Sequence, residues 1–326
     1  MMLQVLRREF LAAISLTAAT QVAAQERQPE LRRVQAAVDS FARLPVTSSC
    51  FIATDHPTPW TVGHDPGARL FVGSGVKTFI LVAYLREIEG GRLTLDQQIA
   101  INDDVRSPSS PVFMKLTGTT EARSVLEAMI AHSDNTATDA ALKAVGPERV
   151  RGLVREAGLS ATHLPDSTRR MVSYLAGAPE GVDFGWEGIE RMANGQFAGS
   201  PRSPMNDHQT MLSTAEEMVR WYQRALKGEF FRKPETLLEF KRIQAMADSL
   251  WHVVPADTLA YGKGGSIDWQ DFHCFALSGR MIVRGVPLTF CFTINWTGPA
   301  DGVASVFEAY KNSVAEALNA ATKAIL

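Results

Sequence analysis

Runs with strand character sit at the two ends of this sequence, and helical periodicity fills the space between them. Near the start, SCFIAT (Ser49 to Thr54) and the surroundings of Trp60 to Val62 read as short strands either side of the turn-rich DHPTP. Near the end, DTLAYGKGGS, FHCFALSGRMIV and VPLTFCFTINW read as three more, joined by short turns. From Thr94 to about Leu226 the pattern is helical, punctuated by Gly and Pro and without a strand. Short strands need partners to bury their apolar faces. The chain is therefore expected to be a mixed α/β protein of the α+β kind. One antiparallel sheet is drawn from both ends, and an all-helical subdomain (about 92–228) is inserted. Helices over Pro29 to Phe41 and Val303 to Ala324 flank the sheet. A tight turn at Arg284-Gly285 sets the register of the last two strands. It pairs Val283 with Val286, and so Cys274 with Asn295 and Cys291 with Ser278.

The stretch RLFVGSGVKTFILVAYLREIEGG (Arg69 to Gly91) combines helical spacing with almost continuous apolar character, the pattern of a buried helix. Gly90-Gly91 supplies its stop. A lysine in the first turn of such a helix is out of place, because an unpaired buried ammonium is costly. Ser74 and Lys77 share one face at its start. That pairing offers a hydroxyl and an amine able to take its proton.

Of the 326 residues 45% are hydrophobic and 21% charged, with a formal net charge of -2, so nucleic acid is not the expected partner. No internal apolar run is long enough to span a bilayer. Residues 1–25 are basic, then apolar, then small, in the order of an export signal. Arg7-Arg8 before Phe10 and Leu11 gives it a twin-arginine look, with cleavage near Ala24. The remaining 26–326 are expected to form a single catalytic domain, exported to the periplasm and monomeric. Export permits disulfides, but the expected register keeps Cys274 and Cys291 apart. With Cys50 they read as buried small hydrophobes. No cluster of His and Cys has ligand spacing, so neither metal nor cofactor is expected.

Two further stretches join Ser74 and Lys77. Ser133-Asp134-Asn135 lies in a polar break between helical segments, and Lys263-Gly264-Gly265-Ser266 lies on the first of the late strands. Singly, each has a structural reading: Ser74 and the Ser-Asp-Asn stretch as helix caps, Lys77 as a snorkelling lysine, Lys263 to Gly265 as an exposed strand. Together and in this order they resemble the motif set of class A serine β-lactamases and the wider penicillin-recognising enzymes. The segments GGRLTLDQQIAIN, EARSVLEAMIAHSDNTATDAAL and TMLSTAEEMVRWYQRALKGE are similar to that family as well. The resemblance implies a β-lactamase-like fold and a hydrolase that opens β-lactam or peptide-like amides through a Ser74 acyl-enzyme. It implies that Lys77 draws off the Ser74 proton, Ser133 relays a proton to the leaving nitrogen, and Asn135 holds Lys77 and a substrate carbonyl. Lys263 would face the substrate carboxylate, and Gly264 and Gly265 would let substrate lie along the strand edge. The backbone N–H groups of Ser74 and Ser266 would form the oxyanion pair.

The chain departs from that pattern in more than one place. The family's deacylating glutamate belongs in the loop THLPDSTRRMVSYLAG, which has none; Thr168 or Arg169 falls about there. An insert around 177–209 carries Glu180, Asp183, Glu187 and Glu190, any of which could fold back as the base, and Asp166 is a further candidate. The arginine that would meet the substrate carboxylate is also not evident, with Phe272 and His273 near its expected position and Arg280 further along. Three readings therefore stand: a β-lactamase, a peptidase or esterase acting on D-alanyl peptides or small esters, and a binding protein that acylates and stalls. Deacylation rate separates them.

Overall fold

The computed structural model describes residues 28–55, 58–196 and 199–325. The expected export signal, residues 1–25, lies outside them. Helix α1 (28–42) leads into β1 (Thr47–Thr54), β2 (Thr61–His64) and the short β3 (Leu70–Phe71), then α2 (Lys77–Glu89). The middle of the chain holds β4 (Gln98–Ile101), β5 (Gly118–Glu121), α3 (Ala122–Ala131), α4 (Asn135–Val145), α5 (Pro147–Glu156), α6 (Thr168–Leu175) and α7 (Gly185–Ala193). It continues with β6 (Leu212–Ser213), α8 (Ala215–Ala225) and α9 (Pro234–Gln244). Strands β7 (Leu259–Trp269), β8 (Phe272–Val283) and β9 (Val286–Thr297) then precede α10 (Val303–Lys323).

Both ends contribute to one antiparallel sheet of order β2-β1-β9-β8-β7. The tight turn sets the expected register: Val283 opposes Val286, Cys274 opposes Asn295 and Ser278 opposes Cys291. Along β9, Phe290 and Phe292 turn toward α1 and α10, where Phe41 and Tyr310 meet Phe292. The alternate residues face the other layer. There Asn295 brackets Phe71 as a neighbouring strand would, accepting its N–H at 2.8 Å and donating to its carbonyl at 2.9 Å. Cys50, Cys274 and Cys291 are all free and buried. Burial pushes the Cys50 and Cys291 thiols up to about 12.

Helix α2 is buried from Lys77 to Leu85, as its pattern predicts. Trp221 of α8 packs on Phe79, and its indole N–H donates to Thr78 at 3.0 Å. The expectation of no strand between Thr94 and Leu226 is corrected. β4 pairs with β5, and β6 pairs with β3. The first pair is largely exposed and the second only two residues long, so neither carries the alternation that marks a strand. The second pair matters for the site. Together with the Val72 N–H, which donates to the Met211 carbonyl at 2.8 Å, it fixes the chain entering the Ser74 turn. Among the described residues no helix is long and apolar enough to cross a membrane.

Candidate active site

Ser74 stands in a 3-10 turn, Gly73–Val76, that runs into the N-terminus of α2. The turn is pressed against the edge strand β7, and two glycines permit the contact. Gly73 takes a φ of +51°, and a Cβ there would meet the backbone nitrogen of Ser266 at 2.9 Å. A Cβ on Gly265 would collide with the Val72 carbonyl and reach the Ser74 nitrogen at 2.7 Å. The backbones carrying the Ser74 and Ser266 N–H groups therefore lie side by side. Gly265→Ala is expected to force them apart, lowering stability by about 1–3 kcal/mol. Urea unfolding would report that loss, with a parallel fall in any Ser74 chemistry.

Lys77 begins α2 and is 0% exposed. Its ammonium donates to the Ser133 carbonyl at 2.6 Å, to Ser133 Oγ at 3.2 Å and to Asn135 Oδ1 at 2.7 Å. Among the described residues its hydrogen bonds go to these two and not to Ser74. Burial, then the nearby charge of Lys263, hold its amine well below the ordinary lysine range against the pull of Asp139 and Asp134.

The Ser-Asp-Asn break works because Asp134 organises it. Its buried carboxylate caps α4, accepting from Ala137 N–H at 2.8 Å, and accepts from the N–H groups of Val112 and Phe113 at 2.8 and 2.9 Å. The capping reading is thus right for Asp134, and the cap frees its neighbours. Ser133 is held at a φ of +56°, a costly conformation for a serine, and points its carbonyl at Lys77. Asn135 donates to the Pro108 carbonyl at 2.7 Å, which orients its amide oxygen toward Lys77.

Lys263 is buried on β7 and donates to the Gly264 carbonyl at 2.9 Å. Burial lowers its amine to about 8, with Asp248 opposing. It lines a cavity of about 260 Å³ with Ser133, Gly265 and Ser266. A larger groove of about 830 Å³ adjoins it, lined by Ser74, Ser133, Asn135 and Ser266 and walled by α6, α7 and the end of β7. Ser74, Ser133, Asn135, Lys263, Gly264, Gly265 and Ser266 thus converge to line the two cavities, and Lys77 lies buried behind them.

A family model described as the β-lactamase enzyme family matches residues 32–271. The chain belongs to the β-lactamase enzyme family. Among solved structures it is similar to PBP-A, at 16% identity and a TM-score of 0.68, covering 90% of this chain and 96% of that one. A PBP-A variant solved as an acyl-enzyme complex with penicillin G matches at 16% identity and 0.66, covering 90% and 97%. A β-lactamase from Chitinophaga pinensis matches at 16% identity and 0.70, covering 90% and 99%. No curated protein matches the chain.

Within this family frame the candidates for the missing base are all turned elsewhere. Asp183 pairs with Arg169 through both oxygens, Glu180 approaches His208 at 3.1 Å, and Glu187 pairs with Arg191 at 2.6 Å. Glu190 is exposed and outside the groove lining, and Asp166 is taken by Arg151 and Gln209 at 2.9 Å each. Of the two residues at the expected position, Thr168 lines the groove and Arg169 points away into the protein. The carboxylate of Asp139 on α4 accepts the N–H groups of both, at 2.6 and 3.0 Å, which locks the start of α6 in place. The carboxylate-binding arginine is likewise absent from its expected strand position. Arg280 is spent on Asp55, His273 sits between Asp268 and the Gly298 carbonyl, and Phe272 packs on Phe71. The cavity beside Lys263 instead carries Lys311 of α10 and His252. No motif marks those two in the sequence.

Proposed function

We propose that this protein is a serine hydrolase whose Ser74 opens β-lactam or peptide-like amides to give a long-lived acyl-enzyme. The observation that carries this reading is the buried Lys77, bonded to Ser133 and Asn135 one helical turn after Ser74. In the acylation step Ser74 Oγ bonds to the amide carbon and the carbon–nitrogen bond breaks. The Ser74 proton passes to neutral Lys77, and a proton from Ser133 Oγ reaches the leaving nitrogen and is replaced from Lys77. Charge on the carbonyl oxygen falls to the N–H groups of Ser74 and Ser266. The leaving half lies on the Ser133 and Lys263 side, where the ammonium suits a carboxylate.

Deacylation requires a base for water, and the carboxylates considered for that task are engaged elsewhere or lie outside the groove. This favours slow release over fast turnover. The order of basic, apolar and small residues in 1–25 supports export. The test is intact-protein mass spectrometry during reaction with benzylpenicillin. A single adduct on Ser74 that outlasts many minutes is expected, and it should be lost in Ser74→Ala. Adduct formation that survives Ser74→Ala would refute the assignment.

A further inference from the structure

The insert between Ser133 and Lys263 is a fixed wall of the groove. Its helix α7 sends Glu187, Glu190 and Arg191 to solvent, while Ile189 is buried and Met192 half-buried on the groove side. Two arginines pin this wall. Arg169, at 7% exposure, grips Asp183 just before α7 and also donates to the carbonyls of Asp104 and Arg106 at 3.0 and 2.9 Å. Arg202, on the returning limb, stacks 4.3 Å from the Tyr174 ring and donates to the Ala178 carbonyl at 2.6 Å. Its own carbonyl accepts the Trp269 indole N–H at 3.0 Å. The insert is thereby fastened to α6 on one side and to β7 on the other.

The same groove is lined by Met171 and Val172 of α6 and by Ile267 and Trp269 of β7, so this part of it is apolar. Asp268, between Ile267 and Trp269, turns its carboxylate to the other face of β7, where it bonds to His273. The polarity of the reaction says what enters here. Ser133 protonates the leaving nitrogen, so the leaving half occupies the Lys263 side and the acyl half must extend the other way, toward α6, α7 and Trp269.

Resting on the acyl-enzyme reading above, we propose that the insert builds a subsite for a bulky apolar substituent on the acyl half of the substrate, such as an arylacyl group. An anionic substituent is rejected, because it would lose its hydration against methionine, isoleucine and tryptophan. Water is excluded from the same region when the substituent fills it, which lengthens the life of the acyl-enzyme.

Three penicillins with one nucleus test this. Benzylpenicillin carries a phenylacetyl substituent, carbenicillin adds a carboxylate to it, and 6-aminopenicillanic acid has no acyl substituent. The second-order rate of Ser74 adduct formation is expected to be about 10-fold or more higher for benzylpenicillin than for either of the others. Met192→Glu should collapse that preference, and Met192→Lys should raise carbenicillin relative to benzylpenicillin, a reversal that loosened packing alone would not produce. Calorimetry on Ser74→Ala, which cannot acylate, reads the same preference as affinity. Equal rates and affinities for the three compounds, unmoved by either variant, would overturn the subsite. A binding preference without any adduct on the unmodified protein would keep the subsite and overturn the acyl-enzyme reading instead.

Discussion

Replacing Lys77 with methionine is expected to slow acylation of Ser74 by on the order of 10³-fold, the scale of a lost general base. Methionine keeps much of the volume of this fully buried side chain, so the change removes the amine more than the packing. Two acceptors, the Ser133 carbonyl and Asn135 Oδ1, lose their donor, and some stability goes with them. The pH profile separates chemistry from that structural cost. Lys77 must be neutral to accept the proton, and burial beside Lys263 makes it neutral well below the ordinary lysine range. Acylation by the unmodified protein should therefore rise with pH on its lower limb. Lys263 must be charged to hold a substrate carboxylate, and burial brings its amine down to about 8. Acylation by an anionic amide should fall again above about that pH. Lys77→Met should erase the lower limb and leave the upper one. Stopped-flow acylation across the pH range decides it; a variant within tenfold of the original rate would remove Lys77 from the mechanism.

What the sequence made legible was whatever is written locally. The Arg284-Gly285 turn sets a register that carries through all twelve residues of β8, because hairpin pairing propagates from the turn. The α2 helix was readable because its nine buried residues are consecutive, and Lys77 stood out against them. The three motifs were readable because the order of their residue types is unusual, although each one alone has a structural explanation. The role of Arg169 was not readable. Its partner Asp183 lies 14 positions further on, across a helix and a turn, with no periodicity linking them. An arginine beside the expected base position turned out to hold the insert, and only the folded chain shows which carboxylate it takes. Lys311 is similar, an ordinary lysine on an amphipathic helix until the fold places it beside the Lys263 cavity.

Thr168→Glu is expected to convert a persistent acyl-enzyme into a turning-over one, raising the deacylation rate by on the order of 10²-fold. The backbone at this position does not depend on the threonine side chain, since Asp139 holds the N–H groups of Thr168 and Arg169 directly. The side chain lines the groove with Ser74, so a carboxylate placed there enters the space where a deacylating water must stand. Thr168 is buried, and Asp139 behind it already has its carboxyl pushed up to about 6 by burial. A second carboxylate nearby will cost stability and will itself titrate higher than usual. Faster deacylation should accordingly come with a lower melting temperature and should grow as pH rises through the new carboxyl's raised pKa. The decay of the Ser74 mass increment after excess penicillin is removed measures it. An unchanged lifetime would mean that water cannot reach the ester from α6. The stall would then come from exclusion by the α7 wall, and opening that wall, not supplying a base, would be the change that restores turnover.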